Sequence, residues 1–314
     1  MVTRGARISG LGGYRPARSV TNEEIAARTS LTADWITDRT GLRTRGHADE
    51  GETIVTMAAE ASAAALRDAG VAPAGIGLVI LATQTPENLI PAGAPELATR
   101  LGCEGAGAYD LNAACAGFTY ALSSAADAVR LGHVEHALVV GSERLTDWTT
   151  PAIEDVYAML ADGAGAVVVS RSAEDTIGPP VWGSDGARKD VLAVPDGERY
   201  ITMRGRLVFK WAIDCLPPAA RLACERAGTT VEELDWLVMH QANRRILDAV
   251  AKDLGIDQDR VARDIIDAGN TSAASIPLAL LALRESGATK SGDSALFLGF
   301  GAGLTYAGQV VRMP

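Results

Sequence analysis

The chain has 314 residues, 47% hydrophobic and 22% charged, with 33 glycines and only 5% aromatics. That length suffices for one large core or two closely packed halves, and the reliance on small apolar residues suits helices laid directly on sheets. The net charge of −10 argues against a nucleic-acid binder, which needs a basic surface to neutralise phosphates.

The opening MVTRGARISGLGG lacks the apolar centre and cleavage site of a secretory leader, so none is expected. Residues 53–70, TIVTMAAEASAAALRDAG, carry apolar positions at helical spacing and stop at Gly70, a common helix terminator. LVILAT (78–83) is short and apolar, as buried strands are. DLNAACAGF (110–118) then leads into the small-residue helix TYALSSAADAVRLG, and ALVVGS (137–142) and GAGAVVVS (163–170) read as strands. In the second half CLPPAARLACERAG (215–228) repeats the helix pattern, Leu234–Met239 reads as a strand, and ALFLGF (295–300) and GLTYAGQVV (303–311) as two more. Strands alternating with helices predict parallel sheets covered on both faces. No run approaches 18 apolar residues, so no membrane span is expected. The cysteines Cys103, Cys115, Cys215 and Cys224 show neither CxxC spacing nor a dense framework, which predicts free thiols and a cytoplasmic protein.

The chain also echoes itself at an offset of 158 positions. Val79-Ile80-Leu81-Ala82 falls on Leu237-Val238-Met239-His240, DLNAACAGF falls on AGNTSAASI (268–276), and His136 to Gly141 fall on Ser294 to Gly299. Three segments holding one offset predict two pseudo-symmetric α/β halves, 1–171 and 172–314, in a five-layered α-β-α-β-α body, with two unrelated α/β domains as the alternative.

The repeat bears on chemistry. Cys115 lies at a predicted helix start among small neighbours, where a helix dipole lowers a thiol pKa and favours the nucleophilic thiolate. Free cysteine is also among the most often buried residue types, so a packing role for Cys115 stays open on this ground alone. The offset sets Ala82 opposite His240 and Asn112 opposite Asn270. Equivalent strand ends and helix starts meet at one seam, so Cys115 from one half can join His240 and Asn270 from the other. A cysteine with two neutral hydrogen-bonding partners can hold a thioester and stabilise an enolate or oxyanion beside it. His133 and His136 form an HxxH without a third ligand nearby, so no metal site is expected. GFGAG (299–303) is not followed by Lys-Ser or a helix, and reads as a tight turn presenting backbone N–H groups to the seam.

The motifs ACAGF (114–118), HQANRRI (240–246), GNTSAAS (269–275) and GFGAGLTYAG (299–308) resemble the β-ketoacyl-acyl-carrier-protein synthase III family over essentially the whole chain. The resemblance implies the thiolase-like fold, a homodimer, and a Cys115-His240-Asn270 triad. The oxyanion hole would be the backbone N–H groups of Cys115 and Ala302, the latter standing where the family usually has glycine. The implied reaction acylates the cysteine from acyl-coenzyme A or an acyl carrier protein. Decarboxylative condensation with a malonyl-carrier thioester follows, priming fatty-acid or polyketide synthesis, with no permanently bound cofactor. Acyl transfer to an alcohol or amine without decarboxylation, in natural-product tailoring, is the alternative. The resemblance places Trp35 and Arg39 at the mouth of a pantetheine tunnel and Asn243 lower in it. Glu154 stands where an arginine normally sandwiches the adenine, and a carboxylate cannot replace guanidinium there. Leu89 and Ile90 would close the acyl pocket of the partner subunit. Lys210, Arg244, Arg245 and Lys252 would form the basic dock for the acidic carrier, with Asp253 interrupting it.

Overall fold

The structure is a computed structural model describing residues 5–314; residues 1–4, part of the opening in which no leader was read, lie outside the described residues. In the first half the strands are β1 (Gly5–Tyr14), β2 (Leu78–Ala82), β3 (Gly107–Leu111), β4 (His136–Arg144) and β5 (Asp162–Ser172). The second half contributes β6 (Val181–Ser184), β7 (Trp236–Met239), β8 (Ser294–Gly301) and β9 (Thr305–Arg312). They form a five-stranded sheet in the order β1-β5-β4-β2-β3 and a four-stranded sheet in the order β7-β8-β9-β6.

Both sheets are mixed, which corrects the expectation of wholly parallel ones. The β2 strand runs parallel to β3 and β4, and β7 parallel to β8, but β5 and β9 run antiparallel to their neighbours. The reason is plain for β8 and β9: only residues 302–304 join them, and a parallel crossover needs a dozen or more.

The main helices are α1 (Ala33–Thr40), α2 (Ile54–Ala69), α3 (Gly93–Leu101), α4 (Gly117–Arg130), α5 (Gly205–Arg226), α6 (Arg244–Leu254) and α7 (Ser275–Glu285). The α2 helix begins and ends as its sequence predicts, with the Thr53 side chain accepting from Thr56 N and Gly70 closing the C-terminus. The α5 helix starts at Gly205 rather than Cys215, and Pro217 and Pro218 lie inside it. The two prolines look like a helix start in the sequence. Burial of Val208, Trp211 and Ala212 holds the preceding turns helical instead.

Apolar contacts define the layers. One core joins α4 and α7 to both sheets, through Phe118 and Leu122 on α4, Ile276 and Leu280 on α7, Val139 and Val167 on one sheet, and Val238 and Phe297 on the other. Two further cores back the sheets with α2 and α3 on one outer face and α5 and α6 on the other. The result is the five-layered α-β-α-β-α body. The 158-residue offset holds in space: α4 and α7 begin at Gly117 and Ser275, β4 and β8 at His136 and Ser294. The β3 strand lacks a strand twin, its counterpart being the short helix Ile265–Ala268 beside a single parallel bridge between Leu237 and Val261.

Two glycines at that same offset seal the seam. A β-carbon on Gly141 of β4 would stand 2.3 Å from the Ala273 carbonyl oxygen, and one on Gly299 of β8 would stand 3.0 Å from Ala116 Cα. Each half thus presses a bare strand backbone against the other half's helix entrance.

Candidate active site

Each central helix is entered through a sharp single turn, Ala114–Ala116 before α4 and Ser272–Ala274 before α7. Ala114 has φ 47° and Ser272 has φ 49°, and among the described residues they are the two non-glycine positions in the left-handed region. Such backbone costs energy and persists where its surroundings enforce it. Here the enforcement is identical in both turns: Asn112 Oδ1 accepts Ala114 N at 3.0 Å, and Asn270 Oδ1 accepts Ser272 N at 2.9 Å. Cys115 is the residue after the strained position in the first turn.

Cys115, His240, Asn270 and Ala302 line one cavity of about 470 Å³. Its inner end is buried, with Cys115 at 7% and His240 at 1% exposure, while Trp35 at the other end is 37% exposed. Asn270 spends its oxygen on the turn, which leaves Nδ2 as a donor. His240 follows β7, and its Nδ1 lies 2.7 Å from Ser275 Oγ. That oxygen also accepts Gln241 N at 3.2 Å; with the Ser275 hydroxyl donating to Nδ1, the ring proton of His240 stands on Nε2. Burial pushes the imidazole pKa down to about 3, so the ring is neutral at physiological pH. The ring meets Phe300 edge-on, with centroids 5.2 Å apart. A thiol and two neutral donors therefore share one desolvated space.

The resting thiol is not acidified. Although α4 starts two residues later, burial pushes the Cys115 pKa up to about 12. Desolvation of the thiolate outweighs the helix terminus, which corrects the expectation of a lowered pKa. Hydrogen bonding by Ser272 and Gln84 opposes the rise, and the negative Glu143 adds to it. The end of β8 lies against the thiol: a β-carbon on Gly301 would lie 2.8 Å from Cys115 Cβ and 3.1 Å from Sγ. Ala302 is not among the positive-φ residues, so an alanine there keeps the same backbone donor.

Trp35, Arg39, Asn243 and Arg245 also line the cavity, toward its open end. The Arg39 guanidinium sits over the Trp35 ring at 6.0 Å. Asn243 is largely committed: its Oδ1 caps α6 at Arg245 N (2.8 Å), and its Nδ2 donates to the Arg39 carbonyl (3.1 Å). Glu154 does not line the cavity. Its carboxylate accepts from the backbone N and the hydroxyl of Ser30, and the neighbouring Asp155 faces the cavity instead. Leu89 and Ile90 do not reach their own chain's cavity either, standing 93% and 89% exposed. Of the basic residues, Lys210 pairs with Asp214 at 2.7 Å and Arg244 with Asp248 at 3.7 Å, while Lys252 lies exposed on α6. Asp253 is paired with Arg221 at 2.8 Å, which offsets the interruption read in the sequence. His136 bonds Ser170 through Nδ1 at 2.8 Å.

Sequence reasoning missed three residues around the thiol. Gln84 Nε2 lies 3.8 Å from Cys115 Sγ and 2.8 Å from Ser272 Oγ, and Ser272 Oγ donates to buried Glu143 at 2.9 Å. A signal was available for two of them. Gln84 follows a strand at its carboxyl end, as His240 does, and Glu143 is a charge inside the apolar run ALVVGSERL.

A duplicated two-sheet body whose helix entrances bring a thiol opposite a neutral imidazole and amide defines a thiolase-like condensing enzyme. Comparison with known proteins narrows this. The family profiles for 3-oxoacyl-[acyl-carrier-protein] synthase III match residues 109–186, and for its C-terminal region residues 224–313. The chain is 44% identical to β-ketoacyl-[acyl-carrier-protein] synthase III of Streptomyces glaucescens, over 98% of this chain and 96% of that one. It is 46% identical to the protein of that name from Mycobacteroides abscessus, over 97% and 94%. The crystal structure of the priming β-ketosynthase of the R1128 polyketide pathway superposes with a TM-score of 0.97 at 45% identity, covering 99% of this chain and 97% of that one. The chain belongs to the β-ketoacyl-[acyl-carrier-protein] synthase III family of acyltransferases.

Proposed function

We propose that the chain forms an acyl-Cys115 thioester and condenses it with a malonyl-carrier-protein thioester, supplying a primed starter unit for fatty-acid or polyketide synthesis. The half 1–171 supplies the nucleophile, and the half 172–314 supplies the donors. Cys115 Sγ attacks the donor thioester carbonyl, the oxyanion is held by the N–H groups of Cys115 and Ala302, and the donor thiol leaves. The malonyl thioester then enters, and Nε2–H of His240 and Nδ2–H of Asn270 donate to its carbonyl oxygen. The carbon–carboxylate bond breaks, carbon dioxide leaves, and the electron pair becomes an enolate held by those donors. The enolate carbon attacks the acyl-Cys115 carbonyl, and collapse expels the thiolate. The observation that carries this reading is the pair of unspent neutral donors beside a thiol in one buried cavity.

In this reading Trp35 and Arg39 receive the coenzyme A or carrier-bound pantetheine, and Asn243 holds the tunnel wall. Arg245, with Lys210, Arg244 and Lys252, meets the acyl carrier protein outside. The protein works in the cytoplasm as a homodimer, in which exposed Leu89 and Ile90 reach the partner's acyl pocket. The free state of all four cysteines supports a reducing compartment. The test is intact-protein mass after incubation with acyl thioesters, followed by carbon dioxide release from malonyl-carrier protein. Acyl mass lost on Cys115→Ala and carbon dioxide released on condensation are expected. Acyl transfer without carbon dioxide would replace condensation with tailoring.

A further inference from the structure

The acylation step leaves one proton without an acceptor. Cys115 must lose its S–H proton, yet the neighbouring imidazole is pushed down to about 3 by burial and is a weak base. A second titratable group whose charge bears on the thiol is Glu143, on β4 and fully buried. Its carboxylate accepts Thr85 Oγ1 at 2.7 Å, Thr83 Oγ1 at 3.1 Å, Gln84 N at 3.1 Å and Ser272 Oγ at 2.9 Å. Among the described residues no cation is paired with it: the adjacent Arg144 turns to Asp147 at 3.1 Å. Asp162, on the strand alongside, is engaged by Thr146 and the Ala48 amide.

The repeat explains why a carboxylate fits there. Glu143 and Gly301 are 158 positions apart, so they are twins. Gly301 lies tight against the first turn, where even a β-carbon would stand 2.8 Å from Cys115 Cβ, whereas Glu143 reaches Ser272 Oγ from the matching position beside the second turn. The second turn thus holds an acid where the first meets a bare backbone.

We propose that Glu143 takes up the Cys115 proton through the Ser272 hydroxyl, with Gln84 holding that hydroxyl in place. Ser272 Oγ donates to Glu143 and accepts from Gln84 Nε2, and that same Nε2 lies 3.8 Å from Cys115 Sγ, so hydroxyl and thiol share one neighbour. As Sγ attacks the thioester carbonyl, its proton passes to Ser272 Oγ and the Ser272 proton passes to Glu143 Oε1. The negative charge moves from Glu143 to sulfur and on to the oxyanion, and Glu143 ends neutral. When the oxyanion collapses, the donor thiol leaves with a proton and Glu143 returns to its carboxylate. Desolvation raises the Glu143 pKa to about 7, which puts its basic form in reach at physiological pH. Glu143 acts through Ser272, so it is a positioning and proton-accepting residue and never touches substrate.

The inference rests on acylation of Cys115, and the experiment separates the two. Single-turnover acylation of the full chain by butyryl-coenzyme A is followed by intact mass between pH 5.5 and 9.5. The wild-type rate constant is expected to rise through the neutral range. Glu143→Gln is expected to lower it about 10²-fold at pH 8 and to remove the neutral inflection, leaving a rise only toward the thiol's own ionisation. A merely structural role would lower the rate at every pH with the inflection in place, and that result overturns the proposal. A Glu143→Gln rate within twofold of wild type also overturns it. Should Glu143→Gln fail to fold, Ser272→Ala breaks the relay with the carboxylate retained, and an unchanged profile there is equally fatal. If the wild type gains no acyl mass at all, the proposed function itself falls.

Discussion

In the proposed mechanism Asn270 carries two duties on two atoms, and substitutions can separate them. Its Oδ1 accepts the Ser272 amide at 2.9 Å and holds the strained turn, while Nδ2 is the proposed donor to the malonyl thioester oxygen. Asn270→Ala removes both. Losing the turn bond costs about 1 kcal/mol, which lowers the melting temperature by roughly 1–2 °C in a chain of this size. Losing the donor costs a further ~3–4 kcal/mol in the transition state, or about 10²–10³ in decarboxylation rate. Asn270→Asp keeps an acceptor for the Ser272 amide but replaces the donor with a negative charge facing a developing enolate. It should melt near the wild type and yet decarboxylate as poorly as the alanine variant. The twin Asn112→Ala supplies the control, because its Oδ1 holds Ala114 N at 3.0 Å in the turn that carries Cys115. It should slow acylation and leave malonyl decarboxylation within a few-fold. The assays are thermal melting and carbon dioxide release from malonyl-carrier protein without an acyl donor. If Asn270→Asp decarboxylates within threefold of the wild type, Nδ2 is not the donor and the mechanism is wrong.

Ile90→Phe should shorten the preferred starter, since each buried methylene contributes about 0.8 kcal/mol, roughly fourfold in kcat/KM, until the pocket floor is met; an unchanged chain-length profile would exclude Ile90 from that floor. Asp155→Asn removes a negative charge from the cavity lining and should lower the KM of acyl-coenzyme A about fivefold, from ~1 kcal/mol of relieved phosphate repulsion, with carrier-bound donors little changed. Equal KM values for variant and wild type would place the phosphates elsewhere. His240 has its pKa lowered to about 3, so its charged form appears only below that value. Decarboxylation should therefore show no acid limb from His240 between pH 5 and 8, and a limb near 6.5 would mean the ring is solvated.

Much of this architecture is legible in the sequence because the duplication is. The 158-residue offset pairs strand with strand and turn with turn, and it brings Cys115 and Asn270 to one seam. The thiol's electrostatics are not legible, because desolvation depends on residues distant in sequence, Gly301 and Glu143 among them. The direction of the sheets was misread since an apolar run such as GLTYAGQVV has the same composition whichever way it pairs. Glu154 and Asp155 are adjacent in the chain, and only the local turn into the Glu154–Tyr157 helix decides which of them faces the cavity.

The bare backbones at Gly141 and Gly299 act as spacers of zero thickness between the two halves of one molecule. In the proposed mechanism the nucleophile rides on one part and its hydrogen-bond donors on the other, so the distance across which carbon meets carbon is set by how closely those parts pack. A single methyl group at Gly141, meeting a carbonyl oxygen at 2.3 Å, would wedge the parts open from below. Every reacting side chain would be intact, and none would be in range.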